Sequence, residues 1–589
     1  MQLDHIYIKG FRNFKEATVR FNQHSLIIGA NDVGKTNLIY AIQLLMDKGL
    51  SDYAYELKNS DFFAYEETNE VVIRLYFKDV KEDCVVARLG QFIDDVGNFV
   101  IQYKATKSGR ETDYRFYCGR SDSDEDLKEC AGPQFYRRYI NIKYISSKRD
   151  LWNYINRSKQ ELLDRAKESR LPEIVKADDE LYAAIDERLQ FVDQNIPGLS
   201  YVKNATEQIN TELDKLSIHN KEQRVVFDTA SSDVDRMIAN VSLASRHKNR
   251  NLILGGEGRI NQIYLSLWAS LNQPSELSNE VSIICIEEPE AYLHPHQQRE
   301  LAAYLGSTLN GQVILTSHSP FIASEFSPNS IIRLYKSSDG ATRAASEGCS
   351  KVIEDTFEDF GYRMSVIPAE AFFSDFAILV EGPSEKQFYR TLAKQLDIDL
   401  DRLNISVLSV DGVSFMTYIK ILNALNIDWV LRTDNDILPI PKKTTYRYAG
   451  IERGLTFLKE TYELTEEDCI TIGKLKSVVH GFEKNPDIPK DVDESAQKLK
   501  DFLSGYNIFI AKNDLETDIY NSPLKEELKK HYGSEDGDEV IKTMKERKAE
   551  NMYSFLKKKK EKLSLLAGDE LALPLIRAKE HIEKHYGAY

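Results

Sequence analysis

The chain has 589 residues, a formal net charge of −16, and 42% hydrophobic and 29% charged residues. This length corresponds to roughly four domains of about 150 residues each, and the composition is typical of globular proteins with sizeable cores. The acidic excess argues against a surface that attracts nucleic acid everywhere, although it is compatible with a local basic channel.

The cysteines and the apolar runs indicate a cellular compartment. Six cysteines are scattered without a CxxC pair, so the sequence predicts neither a zinc site nor a disulfide framework. The N-terminus lacks the layout of a signal peptide, and no apolar run reaches the roughly 20 residues that span a bilayer. We therefore expect a soluble, cytoplasmic protein.

The first motif in chain order follows a predicted β-meander and a short apolar strand at 25–28. The sequence GANDVGKT at 29–36 fits the P-loop spacing GxxxxGK[ST], and the helical apolar spacing of 37–46 follows it. Backbone N–H groups of such a loop wrap a phosphate, Lys35 would reach the β- and γ-phosphates, and the hydroxyl of Thr36 would ligate Mg²⁺. The predicted ATP-binding residues are Gly29, Asn31, Gly34, Lys35, Thr36 and Asn37.

The next segments predict a lobe attached to the P-loop core. Between 70 and 103, the strand-like segments VVIRLYF, CVVARL and FVIQY predict antiparallel strands. The acidic stretch 107–129 predicts a solvated loop. A strand-like pattern returns at 139–146, and Arg149 behind it is interpreted as a contact to a nucleotide phosphate or as a surface salt bridge, the commoner role.

From 151 to 247 the sequence becomes helical and charged. Leu and Ile recur at heptad-like positions, and Pro197-Gly198 marks a break. Such an insertion is either an arm that dimerises or grips a partner, or a passive helical spacer. We predict a dimerisation arm.

Two motifs follow the insertion. Gly256 and Gly258 precede an apolar-striped helix, which would point backbone N–H groups at an anion. The segment SIICIEEPE at 282–290 predicts a buried parallel strand that delivers Glu287 and Glu288 to the carboxyl edge of a sheet. There Glu287 would hold Mg²⁺ through water, and Glu288 would orient the water that attacks the γ-phosphate.

The order of P-loop, insertion, glycine signature and Walker B motif resembles the ABC and SMC/RecF-like ATPase heads. In that class the signature of one subunit closes on the ATP of another, which implies a dimer or higher oligomer. The resemblance also implies that AYLHP at 291–295 contacts the partner and that His318, after the next strand, senses the γ-phosphate. The chain departs from the pattern where Glu287 replaces the usual Asp, and Gln91 and Gln102 are only candidates for the coupling glutamine.

A second acidic motif follows a strand-like segment at 330–335 and a predicted helical bridge at 351–358. The apolar strand FAILV at 376–380 ends in EGPSE. Glu381 follows the strand and Glu385 falls in the first turn of the next helix, so both carboxylates can face one point.

The following rhythm of strand, helix and strand predicts a parallel sheet. Its third strand, at 427–431, ends in TDND, which places Asp434 and Asp436 on one face. Four converging carboxylates would repel one another unless divalent cations neutralised them, and hard oxygen ligands suit Mg²⁺ or Mn²⁺. The alternative is a set of acidic turns without a metal.

The paired acidic motifs resemble a Toprim domain. Toprim behind an ABC-type ATPase resembles the OLD (overcoming lysogenisation defect) family of nucleases, including those of anti-phage systems such as Gabija and some retrons, and the resemblance covers nearly the whole chain. It implies that Asp514 or Glu516, after a predicted strand at 506–511, completes a two-metal site. The implied metal ligands of this site are Glu381, Glu385, Asp434, Asp436, Asp514 and Glu516, with Glu381, Asp434 and Asp436 as catalytic residues.

The same resemblance implies a late lysine that meets the scissile phosphate. The run Lys557, Lys558, Lys559 and Lys560 offers four candidates, and the sequence does not choose among them. A solvated or DNA-gripping helix face is an equal interpretation of this run.

Together these features predict an α/β chain with an ABC/SMC-like ATPase head and a C-terminal Toprim sheet. The expected parts are 1–150 and 248–365 for the ATPase, 151–247 for the insertion, and 366–589 for Toprim. The expected function is an ATP-regulated, metal-dependent DNA endonuclease of anti-phage defence, with ATP and Mg²⁺ or Mn²⁺ as cofactors and with bound ATP inhibiting cleavage. Expected partners are DNA, further copies of the chain, and a helicase or a retron reverse transcriptase–DNA complex encoded nearby.

Two rival functions use the same motifs. One is a RecF-like DNA-binding ATPase whose Toprim module recruits partners without cleaving. The intact carboxylate set argues against it, because a pure interaction module gains nothing from like charges held together. The other is a topoisomerase-like enzyme, which requires a tyrosine nucleophile near the metals.

Overall fold

The computed structural model describes most of the chain, and every structural statement below refers to these residues. They are 1–108, 111–130, 132–216, 224–226, 234–239, 244–247, 250–253, 256–271, 280–309, 311–350, 369–410, 415–483 and 488–587. The predicted helical bridge at 351–358 lies outside them.

The N-terminal part contributes to two sheets. Its elements are β1 (Gln2–Phe11), β2 (Phe14–Arg20), β3 (His24–Ile28), α1 (Lys35–Met46), β4 (Glu70–Lys78), α2 (Asp83–Leu89), β5 (Phe99–Ser108), β6 (Glu111–Gly119), β7 (Lys128–Cys130), α3 (Gln134–Arg137) and β8 (Ile140–Ile145). Six of the strands form an antiparallel sheet in the order β2-β1-β4-β5-β6-β7. This sheet is the predicted lobe.

Two segments of the lobe differ from the sequence prediction. CVVARL, predicted as a strand, forms α2, and its Val85 and Leu89 are buried one helical turn apart. A strand would also place these two side chains on one face, so the short pattern is ambiguous and packing decides. Much of the stretch 107–129, predicted as a loop, is strand: it contains the end of β5, all of β6 and the start of β7, because Phe116 and Cys118 alternate into the core, and of its described residues only 120–127 form a turn.

The described part of the insertion is helical as far as residue 239, as predicted, with α4 (Leu151–Glu168), α5 (Pro172–Asn195), α6 (Ser200–Leu216) and α7 (Val234–Ala239). Its last described residues instead form a strand, β9 (Ala244–His247), which pairs in a hairpin with β10 (Arg250–Ile253). A 3₁₀ turn at Ile196–Gly198 separates α5 from α6, which confirms the break predicted at Pro197-Gly198.

The central sheet is built from both sides of the insertion. The later elements are α8 (Glu257–Leu271), β11 (Val281–Glu287), α9 (Pro295–Thr308), β12 (Val313–Thr316), α10 (Pro320–Ala323), β13 (Ile331–Lys336) and β14 (Thr342–Ala344). The strand order is β14-β13-β3-β12-β11-β8, and all neighbours are parallel except β13 and β14. The strands before the P-loop and before the Walker B acids therefore end at one edge, with β12 between them.

The C-terminal sheet is a separate parallel sheet in the order β16-β15-β17-β21. Its strands are β15 (Phe376–Val380), β16 (Ile405–Ser409), β17 (Asp428–Thr433) and β21 (Ile508–Ile510), and β18 (Ile437–Pro439), β19 (Tyr446–Tyr448) and β20 (His480–Phe482) form a small antiparallel sheet. The helices are α11 (Pro383–Gln395), α12 (Phe415–Ala424), α13 (Ala449–Thr461), α14 (Glu466–Val479), α15 (Lys490–Gly505), α16 (Leu515–Tyr520), α17 (Lys525–Tyr532), α18 (Gly537–Glu546), α19 (Lys548–Lys559) and α20 (Leu573–Tyr586). The mixed α/β class expected from the sequence is confirmed.

One hydrophobic cluster joins the two sheets. It includes Ile322 and Ala323 of α10 together with Ala371 and Phe372, which precede the C-terminal sheet. Within the described ranges, no helix is both long and apolar enough to cross a membrane.

Candidate active sites

The P-loop lies between β3 and α1 and is held in shape by neighbouring side chains. Gly34 has a φ of 106°, a backbone conformation that favours glycine, and a Cβ there would lie 2.0 Å from the side-chain Nδ2 of Asn13. The ammonium of Lys35 donates to the carbonyls of Gly29 at 2.9 Å and Ala30 at 2.8 Å. Burial of this ammonium lowers the pKa of Lys35 to about 8.

Asn37, predicted to bind ATP, braces the P-loop through its side chain. Its Oδ1 accepts from Arg12 at 2.8 Å, and its Nδ2 donates to Asn13 at 2.7 Å. Asn13 in turn donates to the carbonyl of Val33 at 2.8 Å. The other two polar residues of the prediction, Asn31 and Thr36, are exposed at the mouth of the loop.

The Walker B acids have different surroundings. Glu287 is buried at the end of β11, where its Oε2 accepts from the hydroxyl of Tyr144 at 2.8 Å. Its Oε1 has no hydrogen-bond partner in the part of the chain that the structure describes. Glu288 has a φ of 44°, and its carboxylate lies 3.7 Å from Nε2 of His318. The structure thus brings together the predicted catalytic acid and the predicted switch histidine.

His318 is tied to a third acid, Glu290, which sequence reasoning assigned no role. Glu290 accepts from the hydroxyl of Ser317 at 2.6 Å and from the backbone N–H of His318 at 2.9 Å. Burial raises the pKa of Glu290, whereas burial and the nearby Lys35 lower the pKa of His318. The lowered pKa favours the neutral imidazole, and the bond from the backbone N–H of His318 to Glu290 fixes the main chain that carries it.

Arg149 braces the Walker B turn. Its Nη2 donates to the carbonyls of Glu287 at 2.6 Å and Glu288 at 2.7 Å, and its Nη1 donates to Asn261 at 2.5 Å. Asn261, on α8 behind the glycine signature, donates to the carbonyl of Pro289 at 3.1 Å. The guanidinium therefore links the signature helix to the acids through backbone carbonyls. Arg149 and Asn261 are more than a hundred positions apart, so no sequence motif indicates that they are in contact.

The two signature glycines differ in their packing. A Cβ at Gly258 would lie 2.4 Å from the carbonyl oxygen of Tyr292, in the predicted partner-contacting loop. A Cβ at Gly256 would meet no described atom within 4 Å. Gly258 is therefore fixed by a contact inside the subunit, and Gly256 lies open.

In the C-terminal sheet, Glu381 connects the ends of two neighbouring strands. Its Oε1 accepts from the hydroxyl of Thr433 at 2.5 Å, from the N–H of Asp434 at 2.9 Å and from Arg453 at 3.3 Å. Glu385, buried in the first turn of α11, accepts from the N–H of Gly382 at 2.7 Å. The sequence prediction that both acids meet at the end of β15 is consistent with this geometry.

A buried arginine lies among these acids. Nη1 of Arg432 is 3.6 Å from Glu385 and 3.8 Å from Asp434, and its Nη2 donates to Asp518 at 2.8 Å. Burial raises the pKa of Glu385 to about 8, although the arginine opposes the rise. Burial and the charge of Glu381 raise the pKa of Asp434 to about 7.

The structure separates the two alternatives for the last acid. Glu516 is 1% exposed, and the ammonium of Lys548 lies 3.3 Å from it and 4.0 Å from Asp434. Asp514 instead caps α16 by accepting from the N–H of Thr517 at 2.9 Å, and it pairs with Lys545 at 2.6 Å. Glu516 thus shares a cation with Asp434, and Asp514 lies beside it.

Asp436 lies apart from this group. Its side chain is exposed, and no contact found among the described residues joins its carboxylate to the other acids. Its backbone carbonyl accepts from the N–H of Ala449, which turns the chain away after β17.

The lysine run does not supply the cation next to the acids. Lys559 pairs with Glu527 at 2.8 Å, and Lys557, Lys558 and Lys560 are exposed. The lysine of α19 that lies next to the acids is Lys548, at the first position of this helix. No pattern in the sequence distinguishes it from the other lysines of this helix.

Glu381, Glu385, Asp434 and Glu516 are called the acid group below. The unsatisfied carboxylate oxygens of this group are suitable ligands for a divalent cation. No set of three His, Cys, Asp or Glu side chains in the described ranges is already arranged around one point, because Arg432, Arg453 and Lys548 lie between the acids. Four buried carboxylate oxygens nevertheless lack a hydrogen-bond partner in the described structure. They are Oε1 of Glu385, Oδ1 of Asp434, and both oxygens of Glu516. Such hard oxygens suit a divalent ion.

Comparison with known proteins adds two family matches. Residues 1–323 match the model of the AAA ATPase domain, and residues 372–436 match the TOPRIM domain of overcoming lysogenization defect protein-like proteins. These two domains imply the use of a nucleotide and a divalent metal.

Three relatives are similar to the chain. Endonuclease GajA of Bacillus cereus (strain VD045) is 24% identical over 566 residues, which cover 91% of this chain and 92% of GajA. OLD nuclease of Thermus scotoductus is 21% identical over 75% of this chain and 83% of its own length. DNA replication and repair protein RecF of Lactobacillus johnsonii is 25% identical over 42% of this chain and 68% of its own length.

Proposed function

Because the chain belongs to the AAA ATPase domain family and carries an OLD-like TOPRIM domain behind it, we propose that it is an ATP-regulated, metal-dependent DNA endonuclease of anti-phage defence. The observation that carries this proposal is the buried acid group of the C-terminal sheet. Four of its oxygens have no hydrogen-bond partner among the described residues, which leaves them available to bind an ion, since buried polar atoms are otherwise nearly always hydrogen-bonded. The similarity to Endonuclease GajA along nearly its whole length supports the same reaction class.

We propose Mg²⁺ or Mn²⁺ as the ion, held by Glu381, Glu385, Asp434 and Glu516. Asp436 and Asp514 complete the proposed ligand set of a two-metal site. When bound, such ions supply an activated water and stabilise the leaving 3′-oxygen of a phosphodiester.

Residues of the chain prepare this site for its substrate. Arg453 donates to Glu381, to Thr433 at 3.1 Å and to the carbonyl of Asp434 at 2.8 Å, so it fixes the ends of β15 and β17 relative to each other. The side chain of Lys548 is 49% exposed, which leaves its ammonium able to meet a phosphate from solvent. We assign to Lys548 the contact with the scissile phosphate.

At the central sheet we propose an ATP site shared between two subunits. The P-loop residues predicted above hold the phosphates, with Thr36 and Glu287 at Mg²⁺ and Glu288 as the catalytic acid. His318 lies next to Glu288 and meets the γ-phosphate. Gly256 and Gly258 close on the ATP of a second subunit.

We further propose that the insertion at 151–247 is a dimerisation arm. On α5, Ile174, Leu181, Ile185 and Val192 are exposed at spacings that place them on one helical face. The domain boundaries given above, a cytoplasmic location, and partners that include DNA and an operon-encoded helicase or retron complex belong to the same proposal.

The test is incubation of the purified protein with supercoiled and linear DNA, with and without Mg²⁺, Mn²⁺ and ATP. Cleavage that requires a divalent ion and stops with EDTA is the expected result. Binding of DNA without cleavage under all conditions would favour the RecF-like, non-cleaving rival.

A further inference from the structure

Arg333 lies beside the strand that leads into the P-loop. It is in β13, which pairs in parallel with β3, and its pairing partner is Ile28, the residue before Gly29. The Arg333 side chain is 6% exposed. Its backbone therefore belongs to the strand pair that carries the nucleotide site, and its side chain points into the protein.

The guanidinium of Arg333 donates hydrogen bonds to two segments that lead into the C-terminal sheet. Nη1 donates to the carbonyls of Leu425 at 3.2 Å and Asn426 at 3.0 Å. Nη2 donates to the carbonyl of Ser374 at 2.9 Å and to the carboxylate of Asp375 at 2.9 Å.

These acceptors precede the two strands of the metal site. Ser374 and Asp375 lead directly into β15, and Leu425 and Asn426 lead into β17. At their other ends the same strands carry Glu381 and Asp434. One buried cation thus holds the starts of both strands against the P-loop strand pair.

Breaking this connection is unfavourable. A buried guanidinium without acceptors is unstable, because no hydrogen bond then offsets the free-energy cost of removing it from water. The same holds for a buried carbonyl without a donor. Asp375 is itself fixed, because its Oδ2 accepts from Asn404 at 3.1 Å. The β3/β13 strand pair and the starts of β15 and β17 are therefore expected to move together at Arg333 and not to slide past each other.

We propose that Arg333 is the positioning residue through which the nucleotide state of the P-loop reaches the acid group of the C-terminal sheet. The inference rests on the proposed regulation of the endonuclease by ATP. When nucleotide shifts β3 and β13, the starts of β15 and β17 shift with them. The bonds from Thr433 and Asp434 to Glu381 then carry the change to the carboxylates. A ligand shifts such an equilibrium only by its differential affinity for the two states.

The first experiment measures the ratio of cleavage rates without and with a saturating non-hydrolysable ATP analogue, at constant free Mg²⁺. The wild type is expected to show a ratio that differs from one by about 5- to 150-fold, the usual range of allosteric coupling. Arg333→Met should bring the ratio close to one while cleavage without nucleotide persists. Arg333→Lys should be intermediate, because an ammonium keeps the pair with Asp375 but cannot span all four acceptors.

Ser346→Ala is the matched control. The hydroxyl of Ser346 donates to the carbonyl of Ala424 at 2.7 Å, next to the acceptors of Arg333, and Ser346 itself lies outside both β3 and β13. This variant should keep the wild-type ratio. If Arg333→Met does not fold, Asp375→Asn removes the charge but keeps the three carbonyl acceptors, and it should shift the ratio part of the way towards one.

The second experiment measures, without any cleavage assay, whether nucleotide binding affects the strands of the C-terminal sheet. Hydrogen exchange, followed by mass spectrometry of peptides covering 369–380 and 425–434, should change on binding of the analogue in the wild type and not in Arg333→Met. If the wild type shows this change but cleaves no DNA, the endonuclease proposal fails and the inference about Arg333 stands. If folded Arg333→Met keeps the wild-type ratio and exchange response, or if the wild type responds to the analogue in neither experiment, the inference is overturned.

Discussion

At the scale of residues, the negative charge of the acid group of the C-terminal sheet is partly compensated by a buried arginine. Arg432 contacts Glu385 and Asp434 within ion-pair distance but not within hydrogen-bond distance. The arginine therefore offsets the buried negative charge without occupying the lone pairs of those oxygens. Removal of an acid is therefore expected to affect cleavage, and removal of the arginine is expected to affect stability.

Asp434→Ala is predicted to abolish DNA cleavage and to leave ATP binding intact. Asp434 belongs to the C-terminal sheet, whereas the proposed nucleotide site is at the central sheet, so the two activities are expected to separate. Nuclease assays and binding of a fluorescent ATP analogue measure them in parallel. Full nuclease activity in this variant would disprove the assignment of the metal site.

Arg432→Met is predicted to destabilise the protein by about 3–5 kcal/mol, because it leaves buried carboxylates without their counter-ion. Arg165→Met is the matched control: it breaks the exposed pair between Arg165 and Glu161, and such helix pairs contribute about 0.3–0.5 kcal/mol. Urea unfolding of both variants without divalent ions measures the difference. Equal destabilisation would show that Arg432 does not neutralise the acid group.

At the scale of elements, α8 and the 291–295 loop are packed against each other at a glycine. Gly258 approaches the carbonyl of Tyr292 too closely for any side chain, and Asn261 on the same helix donates to the carbonyl of Ala291 at 3.0 Å. The signature and the predicted partner-contacting loop thus form one structural element. A change in the signature helix is therefore expected to move the loop.

Gly258→Ala is predicted to destabilise the protein by about 1–3 kcal/mol, the usual cost of overpacking, because its Cβ would collide with backbone. Gly256→Ala should stay within about 0.5 kcal/mol, as expected for an open surface position. Thermal unfolding compares the two. If Gly256→Ala remains folded but loses ATP hydrolysis, the loss supports a contact with the ATP of another subunit. Equal unfolding temperatures for the two variants would contradict the packing argument.

At the scale of the whole molecule, two sheets with separate chemistry are joined by a shared hydrophobic cluster and by Arg333. Phosphodiester hydrolysis is downhill and needs no coupled ATP turnover. The ATPase is therefore better explained as a switch whose states present the acid group differently.

We predict that bound ATP inhibits cleavage and that a non-hydrolysable ATP analogue inhibits it as well. Cleavage of one DNA by the wild type and by Lys35→Ala is measured across an ATP titration. Free Mg²⁺ is held constant, because chelation by ATP would otherwise imitate inhibition. Lys35→Ala should respond only at much higher ATP concentrations, since it lacks the ammonium that we propose contacts the phosphates. Superimposable titration curves for the two proteins would mean that the nucleotide site does not control the nuclease.

Glu288→Gln is predicted to bind ATP, to hydrolyse it poorly and to accumulate as a closed dimer of ATPase heads. The amide keeps the size of the side chain but cannot orient water as the carboxylate does. Analytical ultracentrifugation with and without ATP measures the assembly. A monomer at micromolar concentration in both conditions would contradict an ATP site shared between subunits.

The sequence by itself determined the features that depend on neighbouring residues. The P-loop spacing, the apolar strand before Glu287 and the strands before Glu381 and Asp434 are local patterns, because strand and helix periodicity bring nearby residues to one sheet edge. The ambiguous cases were also local. CVVARL fits a strand and a helix equally well, and the acidic composition of 107–129 masked the alternation of its strands.

Only the tertiary structure decided which distant side chains meet. The structure places the ammonium of Lys548, and not a lysine of the later run, near both Glu516 and Asp434, because α16 and α19 pack against the C-terminal sheet. Arg149 and Arg333 were likewise assigned by their acceptors, which are backbone carbonyls of remote segments. A carbonyl is present at every residue, so no sequence pattern can indicate which one a buried guanidinium will bind.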